Sequence, residues 1–157
     1  VLQIGEANSA TIDQVADFAE SNVYQGTTFD GVNVYLSEGS TNNVATIDQI
    51  AGGDNSRSDV FQGGQDNEAI VSQGAEDGFS DIRQDGVSNL ADVTQTGLGH
   101  ESIISQTGAG NDAFTIQSGT DNVATVTQTS NGNLSNVNQS GSNNTATVTQ
   151  SGGSSGL

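Results

Sequence analysis

Few residues in this sequence could do covalent or proton-transfer chemistry. His100 is the sole histidine, Arg57 and Arg83 are the only basic side chains besides it, and cysteine is absent. A general base needs a partner within hydrogen-bond reach, and local sequence marks out no Ser or Asp as the partner of His100. Gly52-Gly53 and Gly108-Ala109-Gly110 lack the strand–loop–helix setting of a phosphate cradle, and no lysine follows them. A β-helical lyase or hydrolase would need a cleft built from long inserted loops, and the extra residues here are too few. No catalytic residue is assigned, and no enzymatic activity is expected. The chemistry that does recur is that of the neutral side-chain amide.

Gln14, Gln25, Gln49, Gln62, Gln73, Gln84, Gln95, Gln106, Gln117, Gln128, Gln139 and Gln150 mark one position of a repeat that begins at Gln3. The spacing is eleven residues, apart from two intervals of thirteen on either side of Gln49, and Leu36 stands where one Gln is missing. Two residues earlier the sequence has Val or Ile in all but one copy, and four residues earlier mostly Ala or Ser. Six residues earlier Asn recurs, as in Asn43, Asn67, Asn89, Asn111 and Asn133. Offsets of two place Asn, Ala or Ser, Val or Ile, and Gln on one face of a strand. An eleven-residue interval is odd, so it cannot be one continuous strand. It fits a seven-residue strand and a four-residue turn, with Gly two residues after Gln where a turn needs φ > 0.

Sorting alternate copies gives a column Ala45, Ala69, Ala91, Ala113 and another Ser58, Ser80, Ser102. The period is therefore 22, with two strands facing each other in each rung. The expected fold is all-β: a β-solenoid of about seven two-strand rungs, roughly 33 Å long at the ~4.8 Å strand spacing. It covers residues 1–150, less regularly over 15–66, and 151–157 form a Gly/Ser-rich tail. Stacked amides bond rung to rung along the axis, which makes a buried Gln affordable. The Gln and Asn residues named above are the expected structural ladder.

Composition limits the partners. Hydrophobic content is 31% and the formal net charge is −17. By content alone that leans towards disorder, but the fixed offsets of the apolar residues argue for a stack, which needs a thinner core. Phosphates would be repelled, so no nucleic acid is expected. No apolar run approaches the ~20 residues that span a bilayer, so no membrane insertion is expected. No leader-like n-region or h-region opens the chain, so a secreted protein would be seen here without its signal. The same alternation sets the outward columns. Tyr35, Phe61 and Arg83 fall in one column, with Arg83 over Phe61 and paired to Asp59 or Asp81. Thr11 with Asp13, and Asn33 with Tyr35, precede Thr125-Val-Thr127 and Thr147-Val-Thr149 in that face. In the copy ending at Gln117, Thr115 faces in and Phe114 and Ile116 out, unless a bulge inverts them.

The phrase Asn-x-Ala-x-Val-x-Gln-x-Gly-x-x-Asn resembles the curlin repeat of the curli subunits. The match is close in Asn89-Leu-Ala-Asp-Val-Thr-Gln95-Thr-Gly97, in Asn122-Val-Ala-Thr-Val-Thr-Gln128 and from Gln139 to Gln150. The resemblance covers nearly the whole chain, more faintly between about 15 and 66. Leu36, Asp30, Ala19, Val32 and the two longer turns depart from it. It implies a secreted β-solenoid subunit that polymerises into extracellular, cell-surface fibres of a biofilm matrix. It also implies a nucleator and an outer-membrane secretion machinery as partners, and leaves main subunit and nucleator both open.

Elementary strand chemistry points the same way. A solenoid end offers unpaired N–H and C=O groups, and the sequence has no Pro or Lys to blunt them. Head-to-tail addition of identical rungs does not close, so the chain itself is the expected partner in a homopolymer. The expected subunit–subunit edge is Asn144, Ala146, Val148 and Gln150, beyond the last acidic residue, Asp121. The carboxylates oppose lateral clumping. Asp13, Asp48, Asp59, Asp81 and Asp92 are outward, and Ca²⁺ bridging of such stacked carboxylates is an alternative role. An acidic solvated surface suits the same residues, and no cofactor is assigned. The competing function is a monomeric β-solenoid binding module for ice or Ca²⁺, the Thr-x-Thr pairs being its only feature.

Overall fold

Small or β-branched residues alternating with Thr, Asp and Ser build strands that are apolar on one side only. The structure, a computed structural model, describes residues 1–29, 34–36 and 40–152. In chain order the strands are β1 (Leu2–Gln3), β2 (Ser9–Gln14), β3 (Glu20–Gln25), β4 (Thr27–Phe29) and β5 (Val34–Leu36). There follow β6 (Val44–Gln49), β7 (Arg57–Gln65), β8 (Glu68–Glu76), β9 (Phe79–Val87) and β10 (Leu90–Leu98). The last five are β11 (Glu101–Ala109), β12 (Asp112–Thr120), β13 (Val123–Thr129), β14 (Leu134–Ser142) and β15 (Thr145–Gln150).

Two parallel sheets face each other. One runs β1-β3-β7-β9-β11-β13-β15 and the other β14-β12-β10-β8-β6-β2. Consecutive solenoid strands alternate between the sheets, so each rung contributes one strand to each, and the period of 22 is the rung. The fold is a β-solenoid of about six turns. Register is kept residue for residue: Ile104 lies beside Ile82 and Val126, and Gln106 beside Gln84 and Gln128. The core is a double row of aliphatic side chains. Ile47, Val60, Ile82, Val93, Ile104 and Val126 are fully buried, with Ala45, Ala69, Ala91, Ala113 and Ala124 beside them. Each such Val or Ile contributes roughly 1.5–3 kcal/mol by burial.

One copy of the phrase does not join the stack. Val34–Leu36 pairs antiparallel with Thr27–Phe29, Tyr35 opposite Thr28. Fourteen copies in sequence thus become thirteen solenoid strands. The expected column Tyr35–Phe61–Arg83 is corrected accordingly: Tyr24, not Tyr35, lies beside Phe61. Thr11 and Asp13 lie beside Thr46 and Asp48 in the other sheet, and the face leading to Thr125 and Thr127 runs instead through Asn22 and Tyr24. Leaving out one copy switches the sheet to which every earlier copy belongs. The departures at Asp30 and Val32, together with Asn33, lie outside the described residues, as do residues 153–157 of the tail.

The copy ending at Gln117 reads in plain alternation. β12 pairs with β10 and β14 residue by residue, Thr115 beside Val93 and Val137, with no bulge. Thr115 is buried, and Phe114 and Ile116 point outward.

The turns explain the glycines. Gly119 has φ 105°, and a Cβ there would lie 2.1 Å from the carbonyl oxygen of Gly141 in the next rung. Gly110 also has positive φ, 64°, but a Cβ there meets nothing within 4 Å. Gly110→Ala should therefore cost only the left-handed backbone, about 1–2 kcal/mol. Gly119→Ala adds a clash that forces two rungs apart and should cost clearly more, at least about 3 kcal/mol. Urea unfolding of both variants measures the difference, and equal losses would contradict the close approach.

Candidate functional site: amide ladders and sheet edges

The glutamines point inward because they share a strand face with the buried Val or Ile two residues before them. Their side chains form two continuous columns. In one, Nε2 donates to the next Oε1 from Gln3 to Gln25 to Gln62 to Gln84 to Gln106 to Gln128 to Gln150, over 2.7–2.9 Å. In the other, Gln14, Gln49, Gln73, Gln95, Gln117 and Gln139 are linked in the same sense over 2.6–3.0 Å.

The same amide also ties the two sheets together. Gln106 Nε2 donates to Gln128 Oε1 at 2.9 Å and also reaches Asn111 O at 2.9 Å and Leu90 O at 2.8 Å. Leu90 belongs to the opposite sheet, so one side chain bonds along the stack and across it. Two N–H groups serve three acceptors, one of them shared. Sequence reasoning found the ladder but not this cross-link, because the lateral offset of the sheets decides which carbonyl lies within reach.

The asparagines run in the opposite sense. Asn67, Asn89, Asn111 and Asn133 each donate from Nδ2 to the Oδ1 of the Asn one rung earlier, beginning at Asn43, at 2.9–3.0 Å. Their backbone N–H groups donate to the same oxygens. Asn8 extends this column by accepting from the Asn43 N–H at 3.0 Å. The second column is mixed: Asn144 donates to Asn122 Oδ1 at 2.9 Å, and the Asn122 N–H donates to His100 Nδ1 at 3.2 Å. Asn8 and Asn122 recur at the Asn position of the repeat, and that spacing was the signal for their part. Ser21 and Ser58 add bonds to Gln49 and Gln73 across the interior.

Outside, Tyr24 and Phe61 stack with centroids 4.8 Å apart, and Arg83 lies 6.0 Å over Phe61. Arg83 pairs with Asp81 and Arg57 with Asp59, the latter at 2.9 Å. The Asp59 bond and charge hold the Arg57 guanidinium above its ordinary range. Burial pushes the Asp81 carboxyl up, and Arg83 only partly opposes it. Burial also pushes Asp92 up, where Ile70 and Phe114 lie in register on either side. Among the described residues, no group of three or more His, Cys, Asp or Glu is placed to hold a metal ion.

The expected edge residues lie together at one end. Ala146, Val148 and Gln150 share the inner face of β15, the end strand of its sheet, and Asn144 immediately precedes it. Ala146 and Val148 pack against the core on one side and are only partly buried.

Stacked amide columns between two parallel sheets define a β-solenoid repeat protein. Residues 80–108 and 119–152 match the family described as the Curlin associated repeat. The same strand register continues through β2, β6 and β8, before the matched segments. No curated protein matches the chain.

Two outcomes follow. Gln106→Leu removes the donor to three acceptors while keeping similar volume, and should cost roughly 1–3 kcal/mol in urea unfolding. An unchanged stability would mean that the ladder is incidental to the fold. Asp81 and Asp92 have folded values raised above the unfolded one. Their favourable contribution is therefore complete below the unfolded carboxylate range and is lost as pH rises through the raised values. Above the raised values both are ionised at a cost. Asp92→Asn should raise the urea midpoint at pH 7 and reduce the gain that wild type shows on acidification towards about pH 4. A lower midpoint at pH 7 would show that the Asp92 charge is stabilising.

Proposed function

We propose that this chain is a structural subunit that polymerises head-to-tail into extracellular, curli-type fibres. The curlin repeat and the β-solenoid fit a structural protein of that kind. The observation that carries the reading is the polarity of the open ladders. In the amide-to-amide bonds each ladder Gln donates to the Gln of the later rung, and Asn67, Asn89, Asn111, Asn133 and Asn144 donate to the Asn of the earlier one. Gln139 and Gln150 donate to Val123 O and Leu134 O, and no further rung lies above them among the described residues. At the other end Gln3 and Gln14 donate into the stack, and no ladder Gln precedes them among the described residues to donate to their Oε1 atoms. The donors of one end suit the acceptors of the other, so a second copy extends both sheets with one polarity.

The remaining roles follow from that reading. The subunit serves as fibre at the cell surface, reached through an outer-membrane secretion machinery, with a nucleator to begin the stack. Its work is mechanical and adhesive, without catalysis. Carboxylates outside the stack keep finished filaments apart.

The test is Val148→Lys, which puts an ammonium on the inner face of β15. Long filaments should disappear in negative-stain microscopy and thioflavin fluorescence, while circular dichroism still shows a folded β protein. If this variant forms long fibres at the wild-type rate, growth does not run through β15. A wild-type chain that stays monomeric under the same conditions overturns the subunit reading itself.

A further inference from the structure

His100 occupies a position that amides fill elsewhere in the ladder. It is 1% exposed, in the column that continues to Asn122 and Asn144. Gly78, one rung earlier, has no side chain to compete for the space. The imidazole copies the bonding of an asparagine. Nε2 lies 2.9 Å from Thr96 O, where Asn111 and Asn122 place Nδ2 against the carbonyl four residues back. Nδ1 takes the Asn122 N–H at 3.2 Å, as Asn122 Oδ1 takes the Asn144 N–H. A carbonyl can only accept and a backbone N–H can only donate, so the two contacts specify one tautomer: hydrogen on Nε2, lone pair on Nδ1.

We infer that His100 is an acid-sensitive joint in the stack, opening the contact between the segment at 96–100 and the segment at 118–122 when the imidazole gains a proton. An amide keeps its acceptor at every physiological pH, and a histidine does not. A proton on Nδ1 turns the only acceptor offered to Asn122 N–H into a second donor, inside a site closed to water. The ring then leaves the column or the two segments separate. The surroundings favour the move outward. Among the described residues, the charged groups in the adjoining turns are all carboxylates: Glu76 and Asp77 one rung earlier, Glu101 alongside, and Asp121 one rung later. Glu76, Asp77 and Asp121 are exposed. Across the interior the nearest ladder groups are the uncharged amides of Gln95 and Gln117, the latter bonded to Asn122 O. The Nδ1–H of a charged imidazolium thus faces a donor inside, while several acceptors lie outside. In a stack held by nearest-neighbour contacts, one such joint loosens one boundary and leaves the others intact. This device does not depend on filament formation.

Amide hydrogen exchange on the full chain tests it, corrected for intrinsic rates. Between about pH 7.5 and about pH 5, protection of the Asn122 N–H should fall about tenfold relative to the Asn111 N–H, which is held by Asn89 Oδ1. His100→Asn, which restores the residue used by the neighbouring rungs, should abolish that selective loss. Nitrogen NMR of the imidazole should find the proton on Nε2 at neutral pH. Parallel loss at Asn122 and Asn111 in wild type, the same selective loss in His100→Asn, or an Nδ1–H tautomer at neutral pH would each overturn the inference. The wild-type exchange and tautomer measurements decide the matter even if the variant fails to fold.

Discussion

A side-chain amide in a dry interior must have its hydrogen bonds made, and the rest of this molecule is arranged so that they are. Aliphatic burial is non-directional and would tolerate sliding of one strand past another. The glutamine removes that freedom. Shifting a strand by one residue would turn its Gln outward and bring Thr or Asp in. It would also leave the amides above and below without a partner. The two sheets are held at one separation and one offset because the same Nε2 reaches a carbonyl on the far side. Rise, register and sheet spacing therefore depend on one group, repeated along two columns.

How much of this could be read from residues alone depended on which contacts the two-residue alternation determines. The inner face of each strand, the Val and Ile row and the rung-to-rung Gln partners all follow from alternation plus a constant interval. Arg83 over Phe61 and beside Asp81 followed in the same way, since both neighbours lie in strands joined by regular turns. The copy ending at Leu36 shows where such reading stops. Val34 keeps the alternation, so pattern alone admits it to the stack. What it lacks is an amide at position 36, and a rung without one would break a column and strand the glutamines on each side. The chain instead folds that copy back on itself as an antiparallel pair. The consequence propagated to Tyr35, because sheet membership is a count of strands, and one strand fewer exchanges the sheets.

The acid groups and the amides divide the labour by location. Most carboxylates occupy turns and outer strand positions, where water screens them, while the buried Asp59 and Asp81 each sit beside an arginine. The interior of the ladder carries uncharged polarity, with the imidazole of His100 set among amides. Beyond Asp121 no carboxylate side chain follows, so β14 and β15 present only neutral side chains. The end of the sheet is in this way free of repulsion that the middle retains.

The connection that leaves the stack after Gln25 and returns at Ser40 has a meaning of its own. Gly26 N–H still bonds to Gln62 O, and Ser40 O accepts from Glu6 N–H, so the helical path of the solenoid closes over the gap. The antiparallel pair Thr27–Phe29 and Val34–Leu36 thus lies outside the two parallel sheets, with neither column of glutamines losing a step. Length in that connection is uncoupled from the pitch of the rod. A solenoid built this way has a port in its side wall through which a foreign peptide could be displayed along every repeat of an assembly, without altering the spacing of the rungs that carry it.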